Sequence, residues 1–412
     1  MTNIKTLVQN IQKEEERSLQ FLHLTANENQ VSKTVRLFLN SPLSDRYYMG
    51  GGDENSVVDM NPFTALGIQS VEDLVNKAEE TGKNMLSAEA INLNVLSGVH
   101  AMMSSILAVT EPSDTVLTVH HDAGGHFATK GILDRIGRKH GFVSYDLENL
   151  RFNVEETAKT VKELGATAIY LDVSYYLNPH NLKELREAVG ENITIIYDAS
   201  HTMGLIMGQE FQAPLKEGAN VVCANTHKTL PAVHKGMIAF RDADLGLKAN
   251  SIINGCLYST NHLTHMIGLS ITILEMEAFG KEYAKQIISN SRAIGNAFSE
   301  LGYAVRKANN GEYSNNHQAH VFIDDKGVRG ELYKNLVKNN ISTNFDSPLG
   351  DRLFIRVGTQ ELTRRGLKEN DVKEVANLVH RALIGEDVKS DVIEFNNSFR
   401  DIHYSFDEEM GL

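Results

Sequence analysis

Short unbroken apolar runs alternate with amphipathic stretches through the middle of the chain. DTVLTVHH (114–121), GFVSYDL (141–147), TAIYLDVS (167–174), NITIIYDAS (192–200), ANVVCANTH (219–227) and GMIAF (236–240) have the length and β-branched content of strands. Between several of them lie segments such as VEETAKTVKELG (154–165) and NLKELREAVG (181–190), amphipathic at helical spacing and closed by a glycine of the kind that ends a helix. That alternation predicts an α/β domain whose mostly parallel sheet is covered by helices. Ligands of such sheets bind beyond the carboxyl ends of the strands. The rule singles out His120 and His121, Ser174, Asp198 to His201, and Thr226 to Lys228.

From His265 to about Leu301 the pattern turns helical for a long stretch, and VFIDD (321–325), ISTNF (341–345) and RLFIRVG (352–358) follow as strands interleaved with helices. At the start, Ile4, Leu7, Val8 and Ile11 fall on one face of a charged helix. The expected organisation is an N-terminal helical arm over 1–40, a large α/β domain over 41–284 and a small C-terminal α/β domain over 285–412, joined by the long helix.

Composition narrows the function. The 412 residues are 42% hydrophobic, enough for a real core, and carry a net charge of −13 without clustered lysine and arginine, which argues against nucleic acid as a partner. Cys223 and Cys256 are the only cysteines, with no CxxC spacing, which fits a reducing compartment. The first 20 residues lack the apolar core of a signal peptide, and no run approaches the roughly 20 apolar residues of a membrane span. A cytoplasmic protein with no membrane partner is expected.

Two strand ends deliver a carboxylate, Asp198, and an amine, Lys228, to one edge of the sheet. That pair suits pyridoxal phosphate: the amine condenses with the cofactor's aldehyde, and the carboxylate keeps the ring nitrogen protonated so that the ring accepts electrons. The plainer reading is a capping aspartate and a solvated lysine. Ser97-Gly98 opens an apolar helical run where a phosphate could sit on free N–H groups, although Ser-Gly is also an ordinary cap. His126 rides on a Gly-Gly turn, placed to stack on a flat ring. His120, His121 and His126 have no carboxylate or cysteine cluster beside them, so no metal site is expected. Arg356 lies inside an apolar strand and needs a carboxylate, either an internal acid or that of an amino-acid substrate.

HLTANEN (23–29), AGGHFATKG (123–131), YDASHTMGL (197–205), NTHKTL (225–230) and IRVGTQELTRRG (355–366) resemble, in order and separation, the signature segments of serine hydroxymethyltransferases. The resemblance implies the fold-type-I architecture of pyridoxal-phosphate enzymes, a large domain with a mostly parallel central sheet plus a smaller C-terminal α/β domain. It also implies an obligate homodimer sharing its active sites, with pairing into tetramers left open. Position by position, it makes Lys228 the cofactor-bonding lysine, Asp198 the partner of the ring nitrogen, His201 a neighbour of the cofactor's phenolic oxygen and His126 the stacking residue. Ser97 and Gly98 become phosphate contacts, Ser174 and His227 cofactor contacts, and Arg356 the clamp on the substrate's α-carboxylate. Glu28 and Asn27 fall in the N-terminal segment near the substrate, and Tyr47 matches a tyrosine that reaches the neighbouring subunit's site.

The departures cluster at the second substrate. Met49 stands where the family has the glutamate of hydroxymethyl transfer, with Asp53 and Glu54 nearby, and NSVVDMNPFTALG (55–67) replaces its later tyrosine pair. His234 replaces an arginine and Lys235 a glycine, Asp346 roughly aligns with the folate-contacting asparagine, and LYSTNH (257–262) replaces the glycine-rich phosphate loop, leaving Ser259 and Thr260 as donors. The expected activity is making or breaking the Cα–Cβ bond of a β-hydroxy amino acid, with Lys228, His126, Glu28 and Tyr47 as the catalytic groups and tetrahydrofolate as the one-carbon acceptor. The alternatives are a folate-independent aldolase or transaldolase, and an inert relative that binds the cofactor or a partner protein.

Overall fold

The computed structural model describes residues 3–60, 62–323, 328–347 and 352–412. Asp324 and Asp325, which close the run VFIDD, and Asn61, Met1 and Thr2 lie outside the described residues. The chain forms two compact units, each assembled from separated stretches: one from 29–285 with 404–412, the other from 1–28 with 286–403.

The larger unit is built on seven strands lying in the order Ala90–Asn92, Gly236–Phe240, Val221–Asn225, Thr194–Asp198, Ala166–Leu171, Thr115–Thr118 and Lys139–Phe142. Only Gly236–Phe240 runs antiparallel to its neighbours. Val221–Asn225 and Gly236–Phe240 are buried along their whole length, which explains their unbroken apolar sequence: helices cover both faces and leave no side for polar residues. Met102 and Ile106 of helix Gly98–Val109 pack with Val116, Tyr170, Ile196 and Val221 in one core. The chain leaves Thr118 for Lys139–Phe142 on one side and resumes at Ala166–Leu171 on the other, so the strand order reverses at Thr115–Thr118, the place in such sheets beyond whose carboxyl end ligands bind.

Sequence and structure differ at one place here. GFVSYDL is not one strand: Lys139–Phe142 belongs to the main sheet and Tyr145–Asp146 pairs with Arg151–Phe152 in a separate two-stranded ribbon. Within NSVVDMNPFTALG, Val57–Asp59 pairs antiparallel with Thr64–Leu66. In the same unit, helix Lys33–Leu39 is held at its first turn by Asp407, whose carboxylate accepts from the N–H groups of Lys33 and Thr34 at 3.0 and 2.8 Å.

The smaller unit centres on an antiparallel sheet of Gln318–Ile323, Leu353–Gly358 and Asn344–Asp346. Leu22–His23 pairs in parallel with Ile341–Ser342 and carries Leu22 and Leu24 into a core with Ile294, Phe298, Val321, Ile355 and Val375. No helix among the described residues is long and apolar enough to cross a membrane.

Candidate active site

Two neighbouring strands of the larger unit, Thr194–Asp198 and Val221–Asn225, end in the segments that carry Asp198 and Lys228. Past Asp198 the chain turns sharply, and its Oδ1 accepts the N–H of Ser200 at 2.8 Å, the short-range bond by which an aspartate makes a turn. Its Oδ2 accepts the hydroxyl of Tyr170, on the next strand, at 2.5 Å. The turn delivers buried His201, whose Nε2 lies 3.1 Å from the Lys228 amine. The Lys228 carbonyl accepts from Asn29, and the same Asn29 amide reaches the Tyr283 hydroxyl at 2.9 Å. The amine and the imidazole thus meet from two loops 27 residues apart, with Asp198 at the start of the turn that carries His201.

His126 sits on the loop after the next strand but one. Its N–H donates to Asp172 Oδ2 at 3.1 Å, and Thr129 donates its hydroxyl to the same oxygen at 2.5 Å. Burial pushes the His126 imidazole below its ordinary range, with the Asp198 charge opposing and the Lys228 charge adding to the effect. Asp172 is itself pushed up to about 7 by burial, and Asp198 adds to the shift because two carboxylates at adjacent strand ends repel. Ser174 donates its N–H to Gly124 at 2.8 Å and so closes the Gly-Gly turn against the strand end.

Ser97 caps helix Gly98–Val109 by accepting the N–H of His100 at 3.1 Å. A Cβ at Gly98 would fall 2.7 Å from Asn225 Cβ, so only glycine lets the helix start approach the strand end this closely. Buried Asn225 Oδ1 has no hydrogen-bond partner among the described residues. His227 stacks on His234 with ring centres 3.7 Å apart, and burial pushes it down to about 4. Ser259 is exposed and Thr260 half-buried, just beyond the π-helical turn Ile253–Leu257. Tyr47 is 64% exposed.

The remaining sequence-derived residues belong to the smaller unit. Glu28 is exposed and lies 3.6 Å from His23, whose hydrogen bond holds its carboxyl below the usual range. Asn27 is half-buried, with Oδ1 unpartnered among the described residues. Arg356, 8% exposed, places Nε 3.0 Å from Asp346 Oδ2. Sequence reasoning had not picked out Tyr170, Asp172 or Asn29. An aspartate inside the run TAIYLDVS was the available signal for Asp172, since an acid in a buried strand needs a reason to be there.

These groups fit pyridoxal phosphate: an amine beside an imidazole, a carboxylate anchored at the adjoining strand end, a histidine on a fixed turn, and a capped helix start crowded to glycine. The family model for serine hydroxymethyltransferase matches residues 2–379. A serine hydroxymethyltransferase of Methanocella arvoryzae is 34% identical, covering 98% of this chain and 97% of its own length. A fluorothreonine transaldolase of Streptantibioticus cattleyicolor is 32% identical over 96% of this chain and 63% of its own. The crystal structure of an L-threonine transaldolase from Pseudomonas fluorescens superposes with a TM-score of 0.90 at 28% identity, covering 98% of this chain and 94% of the other. Over nearly its whole length, then, the chain belongs to the serine hydroxymethyltransferase family of pyridoxal-phosphate-dependent transferases.

Proposed function

We propose that the chain interconverts L-serine and glycine, with tetrahydrofolate as the one-carbon acceptor and the residues around Lys228 as its catalytic centre. The observation that carries this reading is the Lys228 amine 3.1 Å from His201, with Asp198 anchored by Tyr170 at the adjoining strand end. Pyridoxal phosphate bound there supplies an electron sink for the bond that breaks at Cα. Lys228 would hold the cofactor's aldehyde carbon, Asp198 the proton on its ring nitrogen, and His126 the ring face. Ser97, Gly98 and the first N–H groups of their helix would take the phosphate, joined by Ser259 and Thr260, and Ser174 and His227 would contact the cofactor elsewhere. Arg356 and Asn27 would bind the amino acid, and Glu28 and Tyr47 would move protons near Cβ.

A second reading rests on the two transaldolases among the relatives, together with Met49 and Asp346 at the second-substrate positions. In it the glycine unit passes to another aldehyde and folate has no part. Glycine formation from L-serine, measured with and without tetrahydrofolate, separates the two. Strong folate dependence supports the first. Folate-independent turnover of L-threonine with an added aldehyde supports the second, and no reaction of either amino acid sinks both.

The same reading assigns two copies of the chain to each functional unit, in the cytoplasm. Ile4, Ile11, Tyr47, Phe63 and Leu66, all at least half exposed, are side chains that a second copy would cover.

A further inference from the structure

Lys235 is 1% exposed, one of the largest fully buried side chains of the larger unit. Its ammonium meets no carboxylate among the described residues. It donates instead to two backbone carbonyls, Leu93 at 2.5 Å and Val95 at 3.1 Å. Those carbonyls lie just past the last ladder pair of the edge strand, Asn92 with Ile238, in the loop that runs into Ser97 and helix Gly98–Val109. Val95 also accepts the N–H of Gly236 at 3.2 Å, and a Cβ at Gly236 would fall 2.5 Å from the Ser97 carbonyl. At its other end Lys235 is tied to Thr226, two residues before Lys228: its N–H donates to Thr226 Oγ1 at 3.0 Å and its carbonyl accepts the Thr226 N–H at 3.1 Å. One residue therefore fastens the loop that carries the amine to the loop that carries the capped helix start.

An apolar side chain at 235 would fill the same space without a desolvated charge, so packing alone does not account for a lysine. An ammonium has three donors, and here it bonds two carbonyls two residues apart along a turn. Burial opposes that charge and brings the amine down to about 7.

We infer that Lys235 is a positioning residue for the cofactor's phosphate: by gripping Leu93 and Val95 it sets the height and direction of Ser97 and the first N–H groups of helix Gly98–Val109. This rests on the reading of that helix start as the phosphate seat. The family resemblance does not supply it, since it puts glycine at this position.

The test compares pyridoxal 5′-phosphate with pyridoxal, which lacks the phosphate, as ligands of the cofactor-freed wild type and of Lys235→Met, read by absorbance titration. Wild type should prefer the phosphorylated form strongly. Lys235→Met should reduce that preference by roughly tenfold or more, the scale of two lost charge-assisted hydrogen bonds, while pyridoxal binding changes little. Equal weakening for both ligands would make Lys235 a merely structural residue and overturn the inference, as would an unchanged preference. If Lys235→Met does not fold, Lys235→Gln, shorter but still a donor, carries the same comparison, with a several-fold fall in preference expected and a constant preference overturning. Failure of wild type to bind either ligand would instead remove the cofactor reading itself.

Discussion

Arg356 and Asp346 face each other across two antiparallel strands, with Nε 3.0 Å from Oδ2 and both side chains largely shielded from solvent. In register Arg356 lies opposite Asn344, and Asp346 is two residues further along, the diagonal at which a long side chain reaches its partner. An amino acid bound through its carboxylate at Arg356 therefore meets a second carboxylate already there. Arg356→Ala should weaken amino-acid binding by about 2–3 kcal/mol, roughly a hundredfold, with pyridoxal-phosphate binding nearly unchanged. Asp346→Asn, which removes the competing charge, should lower KM for the amino acid. Isothermal titration and steady-state kinetics check these outcomes; equal losses for both ligands in Arg356→Ala would make that arginine structural.

Lys228 should be the point of covalent attachment. Borohydride reduction of the wild type with bound pyridoxal phosphate should fix one cofactor on the peptide containing Lys228, and Lys228→Ala should yield no such adduct by mass spectrometry. An adduct on another lysine of that variant would relocate the chemistry.

Asp172 should hold the His126 turn in place. Asp172→Ala leaves the His126 N–H and the Thr129 hydroxyl without their acceptor, a cost of about 1–3 kcal/mol. Backbone hydrogen exchange in the segment 120–130 should accelerate while the strand Val221–Asn225 stays protected. Unchanged exchange in that segment would mean the turn holds itself.

His180 should make the fold sensitive to acid. Its ring packs among Tyr176, Phe152 and Tyr197, and burial brings it down to about 3 from an ordinary 6.5. The unfolded chain takes up a proton as pH falls below about 6.5 while the folded chain does not, so this group contributes stability above that pH and loses it as pH drops towards 3. Between pH 7 and pH 5 the loss from this residue is about 2 kcal/mol. Urea unfolding at both pH values should show that part of the difference vanish in His180→Phe; the same difference in variant and wild type would clear His180 of the effect.

What the sequence made legible depended on how local the physics was. Runs such as NITIIYDAS and ANVVCANTH announce themselves because strands buried on both faces must be apolar throughout. The direction of Gly236–Phe240 is absent from its sequence, since a strand buried on every side reads alike both ways. Ala90–Asn92 is three residues long and ends in asparagine, too short for a periodic signal. Lys228, Asp198 and His201 could be picked out as polar groups closing apolar runs. Tyr170 could not, because a tyrosine within a buried strand looks like core until the pairing of Tyr197 with Leu171 sets it beside Asp198. For Arg356 the sequence left an internal acid and a substrate carboxylate as rival partners; an acid ten residues back, across a strand pair, emerges only with the register.

The hold of Asp407 on helix Lys33–Leu39 also bears on how the chain is made. A ribosome releases the amino end first, so Lys33 emerges 374 residues ahead of the acid that secures its helix. Each unit is stitched from segments widely separated along the chain, so neither can be completed as it leaves the exit tunnel. All seven strands of the larger sheet have emerged by Phe240, yet the start of helix Lys33–Leu39 lacks its acceptor until Asp407 follows, and a transcript cut short before codon 407 would yield a chain with that seam open.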